Sequence, residues 1–154
     1  MPTPSYKMTG VDTRMLEAGL GSMFNLLRGT WQYRDHVRLD LGHYANVVDL
    51  GSIGVAISTD NVGTKAIIAQ LMDSYRSVAI DCIAINVNDV LCVGAEPISM
   101  VDYLAVQRVD KRMMVEVGKG LAEGARYAKI TIVGGETARV PEMVGGEEGA
   151  VGFD

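Results

Sequence analysis

Asp60-Asn61-Val62-Gly63-Thr64-Lys65 decides how the rest of this chain is read. It follows an apolar, β-branched run over residues 53–59 and precedes Ile67, Ile68, Leu71, Met72 and Tyr75, which mark one face of a helix. A strand that passes into a helix through a glycine leaves free backbone amides at the helix start, and such amides attract anions. Lys65 adds a point charge beside them. The stretch is not a Walker A loop, which needs G-x-x-x-x-G-K-[ST]. Taken alone, it also has the composition of an ordinary strand-to-helix turn.

Two further stretches of the same character lie downstream. Asn86-Val87-Asn88-Asp89 interrupts apolar sequence, and Gly134-Gly135-Glu136-Thr137 follows a short β-branched run over 129–133. Each has a plain structural reading, a capped helix end for the first and a tight turn for the second. Together with 60–65 they suggest one composite site for a metal–nucleotide complex. Mg²⁺ prefers hard oxygen ligands and reaches proteins through one or two carboxylates plus substrate phosphates. Asp60, Asp89 and Glu136 are the candidate carboxylates, with Lys65 and glycine-flanked amides facing the phosphates.

Working outward, 46–50 and 53–59 read as a hairpin about Gly51-Ser52. Residues 13–28 read as a helix weakened by Gly19 and Gly21, and 29–44 give a poor signal. A helix over 78–91 is apolar on most sides, so burial is expected. Asp81, Asn88 and Asp89 share one of its faces, and acids on a buried helix need a reason for their desolvation. Beyond Glu96-Pro97, residues 98–106 read as a strand containing Asp102. Asp110 is placed to cap a helix to about Tyr127, with Met114, Val117, Leu121 and Ala125 inward. Residues 150–154 start another strand. The methionines at helical spacing are read as core. The sum is an α+β domain with a mixed sheet packed by helices.

The chain has 154 residues, of which 48% are hydrophobic and 21% charged, enough apolar material for one globular domain. The formal net charge of -5 argues against general nucleic-acid binding, whose footprint is basic. The same balance sets aside base stacking by the interleaved Arg28, Trp31, Tyr33, Arg34 and Arg38. An acidic chain that binds phosphate locally suits a cytoplasmic enzyme. Cys82 and Cys92 are expected to be reduced and buried, held too far apart by a helix to form a disulfide. Met1-Pro2-Thr3-Pro4 lacks the features of a signal peptide. No apolar run reaches membrane-spanning length, because Asp81, Asn86, Asn88 and Asp89 interrupt the best one. His36 and His43 lack zinc spacing, and G-x-S-x-G is absent.

The motifs carry a resemblance. Tyr6 with Gly10-Val11-Asp12, Thr59 to Lys65, Asp81 with Asn86 to Asp89, Gly94-Ala95-Glu96-Pro97, Asp102-Tyr103, Gly120 to Gly124, and Gly134 to Ala138 with Pro141 follow one another in the order and approximate spacing of one family. The chain resembles the N-terminal domain of aminoimidazole ribonucleotide synthetase, also called phosphoribosylformylglycinamidine cyclo-ligase. Selenophosphate synthetase, thiamine-monophosphate kinase and a hydrogenase-maturation protein share some of these elements. Gly-Ala-Glu-Pro and Gly-Gly-Glu-Thr-Ala lean toward the purine enzyme. Asn61 stands where the family usually has Gly, and Arg139 where it usually has Glu.

The resemblance implies a single N-terminal ATP-binding and dimerisation domain over 1–154, with the family's C-terminal domain absent from this chain. It implies ATP-dependent ring closure of formylglycinamidine ribonucleotide, a homodimer joined through a barrel-like sheet, and a fragment inactive alone. In that chemistry the formyl-amide oxygen attacks the γ-phosphoryl group, the amidine nitrogen attacks the resulting imidate, and phosphate leaves; such reactions depend mostly on positioning and charge neutralisation. The implied cofactors are ATP and Mg²⁺, with Asp60, Asp89 and Glu136 as catalytic and metal residues. Gly10, Asp12, Gly63, Thr64, Lys65, Asn88, Gly134, Gly135 and Thr137 are the implied nucleotide-binding set. Gly10 to Asp12 are an arm that closes over the phosphates, and Asn88 orients Asp89 or a metal-bound water. The implied partner is a small nucleotide substrate, not nucleic acid or membrane. The alternatives are a non-catalytic nucleotide-binding and dimerisation module, or a sibling ATP-dependent enzyme phosphorylating another small molecule.

Overall fold

Asp110 begins the helix around which the core is built. Its backbone is extended (φ -123°, ψ 121°) and its side chain accepts from the Met113 amide at 2.7 Å, so it caps the helix start as the sequence suggests. The helix ends at Lys129, whose left-handed φ of 57° breaks the ladder. The computed structural model describes residues 13–33 and 36–144, and the backbone of 151–153. The elements are α1 (Thr13–Arg28), a 3-10 turn (Gly29–Tyr33), β1 (Asn46–Asp49), β2 (Gly54–Ile57), α2 (Lys65–Leu71), α3 (Arg76–Cys92), β3 (Ser99–Val106), α4 (Lys111–Ala128), β4 (Thr131–Arg139) and β5 (Val151–Phe153).

β3 lies between β4 and β5, parallel to the first and antiparallel to the second. α4 makes the crossover that a parallel pair requires. The sheet is therefore mixed, as expected. β1 and β2 form a separate antiparallel hairpin, with Val37 bridged to Val48 on its open side. β3 alternates. Leu104 and Val106 are buried and face α3 and α4, whereas Val101 and Tyr103 point to the other, uncovered face. Val78, Ala79, Cys82 and Ile83 of α3 meet Met113, Val117 and Leu121 of α4 beneath this sheet.

The two helices come close because glycine lines the contact. A Cβ at Gly120 would meet the Arg76 carbonyl oxygen and stand 2.7 Å from the Ala79 Cβ. One at Gly124 would stand 2.8 Å from Ile83 Cγ1. At the rim, Arg76 Nε donates to Glu123 Oε2 at 2.7 Å and the Tyr127 hydroxyl donates to Glu123 Oε1 at 2.9 Å.

Several expectations are corrected. α2 buries Ala66 and Ala69, while Ile67 (55% exposed), Ile68, Leu71 (77%) and Met72 face outward; of the expected inward face only Tyr75 is buried. Alanines let α2 sit close to the core, and the larger side chains are left outside. α3 is not wrapped on all sides: Ala84, Asn88, Leu91 and Cys92 are exposed. Its polar face is only half-buried, so the desolvation to be offset is smaller than a wrapped helix would impose. Cys92 is a free, exposed thiol, and Cys82 is the buried one. Gly134-Gly135 is not a turn, because β4 runs through it to Arg139. Gly135 lies against β3, where a Cβ would stand 2.5 Å from Asp102 Oδ1, so a strand passes this point only without a side chain. Asn86 to Asp89 lie within α3 rather than at its end. Met113 is core, but Met15, Met23 and Met72 are exposed.

Replacing Gly120 with Ala is expected to destabilise the domain by about 1–3 kcal/mol, the usual cost of overpacking, despite the better helix propensity of Ala. Denaturant unfolding of Gly120→Ala beside Gly118→Ala, whose Cβ would meet nothing within 4 Å, checks this.

Candidate functional site

Segment 58–65 has little backbone structure of its own, and side chains of α3 supply what it lacks. Three contacts run down the helix in descending order: Ser58 to Asp89, Asp60 to Asn86, and Lys65 to Asp81. Asp81 and Asp89 are about 12 Å apart along the axis at 1.5 Å per residue, a span that seven residues of loop match. The Ser58 hydroxyl stands 3.1 Å from Asp89 Oδ2 and 3.0 Å from the Tyr44 carbonyl, and its one proton serves both. Asn86 Oδ1 accepts from the Asp60 amide at 2.9 Å, while its Nδ2 donates to the Asp60 and Cys82 carbonyls at 3.0 Å each.

The turn into α2 is shaped locally. Asp60 Oδ1 accepts from the Asn61 amide and Asn61 Oδ1 from the Gly63 amide, both at 2.7 Å. The second bond is an Asx turn. Gly63, not Asn61, takes the left-handed backbone, with φ of 59°. Asn61 therefore keeps the turn by hydrogen bonding rather than by tolerating an unusual φ. Val62 is buried beneath the turn and pins it to the core. Thr64 is exposed and precedes the first residue of α2 with no side-chain cap, while the Ala66 and Ile67 amides turn back to the Gly63 and Thr64 carbonyls at 3.2 and 3.1 Å.

The charges are arranged unevenly. Lys65 Nζ is paired with Asp81 Oδ2 at 2.8 Å. Asp60 is exposed and Asp89 half-buried, and the ion pairs among the described residues leave both out. Each uses one carboxylate oxygen in the hydrogen bonds above and keeps the other. Elsewhere two basic residues of the aromatic-rich stretch are neutralised: Arg28 pairs with Asp40 at 2.7 Å and Arg38 with Asp49 at 2.9 Å. The Arg28 guanidinium holds the Asp40 carboxyl below its usual range; the Gly51 amide and then Arg38 do so for Asp49, and Arg76 and then Tyr127 for Glu123.

The structure thus gathers Asp60, Gly63, Thr64, Lys65 and Asp89 along one junction. Asn88 lies beside it, exposed, one residue before Asp89. Glu136 is elsewhere: it pairs in register with Tyr103, on the sheet face away from the helices, with Gly134, Gly135 and Thr137 along the same strand. Among the described residues no three His, Cys, Asp or Glu side chains group closely enough to hold a metal. Gly10 and Asp12 lie outside the described residues. The sequence reading singled out Asn88 and passed over Asn86 and Ser58 as separate participants. The available signal was an asparagine set into the apolar body of a helix, where it is a poor helix former.

Residues 42–151 match the family model described as AIR synthase related protein, N-terminal domain. The chain belongs to this family. Among curated members of similar sequence, the phosphoribosylformylglycinamidine cyclo-ligase of Thermococcus kodakarensis is 46% identical over 146 residues, 92% of this chain and 44% of its own length. That of Methanobrevibacter smithii is 46% identical over 140 residues, 91% of this chain and 41% of its own. The chain therefore spans less than half the length of these relatives. Among solved structures, a ThiL chain in complex with AMPPCP and TMP aligns with a TM-score of 0.54 at 15% identity, over 85% of this chain and 39% of that one. Thiamine monophosphate kinase from Aquifex aeolicus aligns at 0.52 and 17%, over 86% and 40%. These likenesses show that the AIR synthase related domain shares its fold with ThiL. No helix among the described residues is long and apolar enough to cross a membrane.

The lowered carboxyls set an acid limit on stability. A carboxyl whose folded pKa lies below its unfolded value contributes above the unfolded pKa and loses that contribution as pH falls through the folded one. Melting between about pH 6 and about pH 3, spanning the ordinary carboxylate range, is expected to show a falling midpoint. Glu123→Gln is expected to show a lower midpoint at the upper end and a shallower fall.

Proposed function

We propose that this chain is the N-terminal part of an ATP-dependent phosphoribosylformylglycinamidine cyclo-ligase, a cytoplasmic homodimer of purine biosynthesis. Similarity at the level of the whole domain carries the reading: curated cyclo-ligases are 41–46% identical over at least 91% of this chain. The kinase-like alternative rests on fold likeness at 15–17% identity, which is too distant to transfer a substrate. Because the chain spans less than half of its relatives, ring closure is assigned to the longer protein, and nucleotide capture to this part.

The junction of 58–65 with α3 has a donor set that suits Mg²⁺ brought in by nucleotide phosphates: two carboxylates, Asp60 and Asp89, each with an oxygen to spare. Such an ion, when bound, neutralises charge between phosphate oxygens. Gly63, with no side chain, lets a phosphate approach the turn, and Thr64 presents its hydroxyl at the start of α2. Lys65 turns from Asp81 toward phosphate at little cost, since the ion pair it leaves is solvent-exposed. Asn88, exposed one residue before Asp89, would orient Asp89 or a water at the metal. Glu136, flanked by Gly134, Gly135 and Thr137 on the sheet face away from α3, is assigned to the substrate amidine rather than to the metal beside Asp60 and Asp89. Gly10 and Asp12 contribute an arm over the phosphates.

A second copy would cover the bare sheet face, where Val101 (64% exposed), Tyr103 (42%) and Val133 (65%) stand beside one another, and this supports pairing of two sheets into a barrel-like core. Light scattering at micromolar concentration is expected to give twice the chain mass; a monomer overturns the dimer.

Calorimetric titration with AMPPCP is expected to show binding that strengthens with Mg²⁺. Asp89→Asn is expected to lose most of the Mg²⁺-dependent affinity while its melting curve stays cooperative. Unchanged Mg²⁺-dependent affinity in that variant removes Asp89 from the site.

A further inference from the structure

Asp60 sits in a segment with neither a helix nor a strand to satisfy its backbone. One primary amide meets both of its needs. Asn86 Oδ1 takes the Asp60 N–H at 2.9 Å, and Asn86 Nδ2 gives a proton to the Asp60 carbonyl at 3.0 Å. The second Nδ2 proton goes back to the Cys82 carbonyl, one turn earlier in α3, at 3.0 Å. The amide has no donor left over, so its orientation is fixed from the helix side. Its grip is equally specific on the loop side. Holding the N–H and the C=O of one residue fixes the two peptide planes that flank its Cα, and with them the direction of the Cα–Cβ bond. The partners are 26 residues apart, so this is a tertiary fastening and not a local turn. It also lies one helical turn from Asp89, at the spacing that puts two side chains on one face of a helix.

We infer that Asn86 is a positioning residue, aiming the Asp60 carboxylate so that Asp60 and Asp89 together serve one divalent cation carried by a nucleotide. The inference rests on the nucleotide–metal reading of Asp60 and Asp89 and deepens it. Neither carboxylate is spent in an ion pair, and the free oxygen of Asp60 goes wherever its backbone points it. Without Asn86, water replaces the amide and the carboxylate samples a wider arc. The cation then loses one well-placed ligand, while contacts between the nucleotide and the start of α2 remain.

The test is the ratio of AMPPCP affinities with and without Mg²⁺, measured by calorimetry on the whole 154-residue chain. The variants are Asn86→Leu, which keeps the volume but cannot hydrogen-bond, and Asn86→Ser, which leaves room for water should the leucine form fail to fold. Both are expected to lower the Mg²⁺-dependent gain by roughly 10- to 100-fold, the usual effect of removing a group that orients a metal ligand, with metal-free affinity unchanged. Amide exchange at 60–65 is expected to quicken in the same variants. A loss of stability alone would weaken both affinities together and leave the ratio in place. A wild-type ratio in folded Asn86→Ser, with the ratio abolished in Asp89→Asn, overturns the positioning role and leaves the site standing. A wild-type ratio in Asp89→Asn as well, or no Mg²⁺ dependence in the parent chain, overturns the site and this inference with it.

Discussion

The close approach of α3 to α4 is the constraint from which the rest of the domain follows. Gly120 and Gly124 remove the side chains that would hold the helices apart, and Arg76, Ala79 and Ile83 occupy the space. With α4 seated this deeply, Val117 and Leu121 reach Val78 and Cys82 beneath β3, and Leu104 and Val106 close the layer from above. The arrangement commits one side of α3 to the core. The opposite side, carrying Asp81, Asn86 and Asp89, is left for whatever lies beside it. That neighbour is 58–65, pinned by buried Val62 and by the hydrogen bonds to α3. The packing that makes the fold thus also sets the line along which the candidate site is strung.

That line has a charge logic of its own. The cation at its lower end is matched by Asp81, whereas the carboxylates at its upper end meet neutral donors, Asp89 the Ser58 hydroxyl and Asp60 the Asn61 amide, with Asn86 holding the Asp60 backbone. Neutral donors fix position without cancelling charge. A pair of carboxylates fastened this way stays available to a hard cation, which prefers charged oxygen and gives up its waters reluctantly. Salt bridges in the same places would have fixed the geometry and consumed the ligands.

Much of the fold was legible because its signals are local. The Asp110 cap, the strand over 98–106, the turn at Gly51-Ser52 and the period of α4 each depend on residues within a few positions of one another. The misreadings share the opposite property. The inward face of α2 is set by how near α3 comes, and nearness favours Ala66 and Ala69 over the larger Ile67 and Leu71, which a hydropathy pattern ranks first. Gly134-Gly135 has the composition of a turn but is strand, because Asp102, 33 positions away on β3, leaves no room for a Cβ at Gly135. Of the candidate site, the sequence displayed the carboxylates and the glycine turn. It did not display Asn86, whose role exists only once 60 and 86 are side by side.

The uncovered surfaces bear directly on the strength of this site. A sheet with helices on one face buries that face alone, and apolar side chains remain on its other side and along α2. Contiguous apolar surface of this kind marks places where further protein packs. The stripe on α2 begins two residues after Lys65, so whatever covers it also borders the start of that helix. The effect on electrostatics is large: two unit charges 4 Å apart interact by about 1 kcal/mol in water and about 4 kcal/mol near a protein surface of lower effective dielectric. Asp60 and Lys65 are exposed as they stand, so on the proposed reading their hold on a phosphate–metal complex would be screened. Covering α2 would remove water from one side of the same charges. On the proposed reading of the junction, burial of the apolar stripe would supply the lower dielectric that the carboxylates and the lysine need.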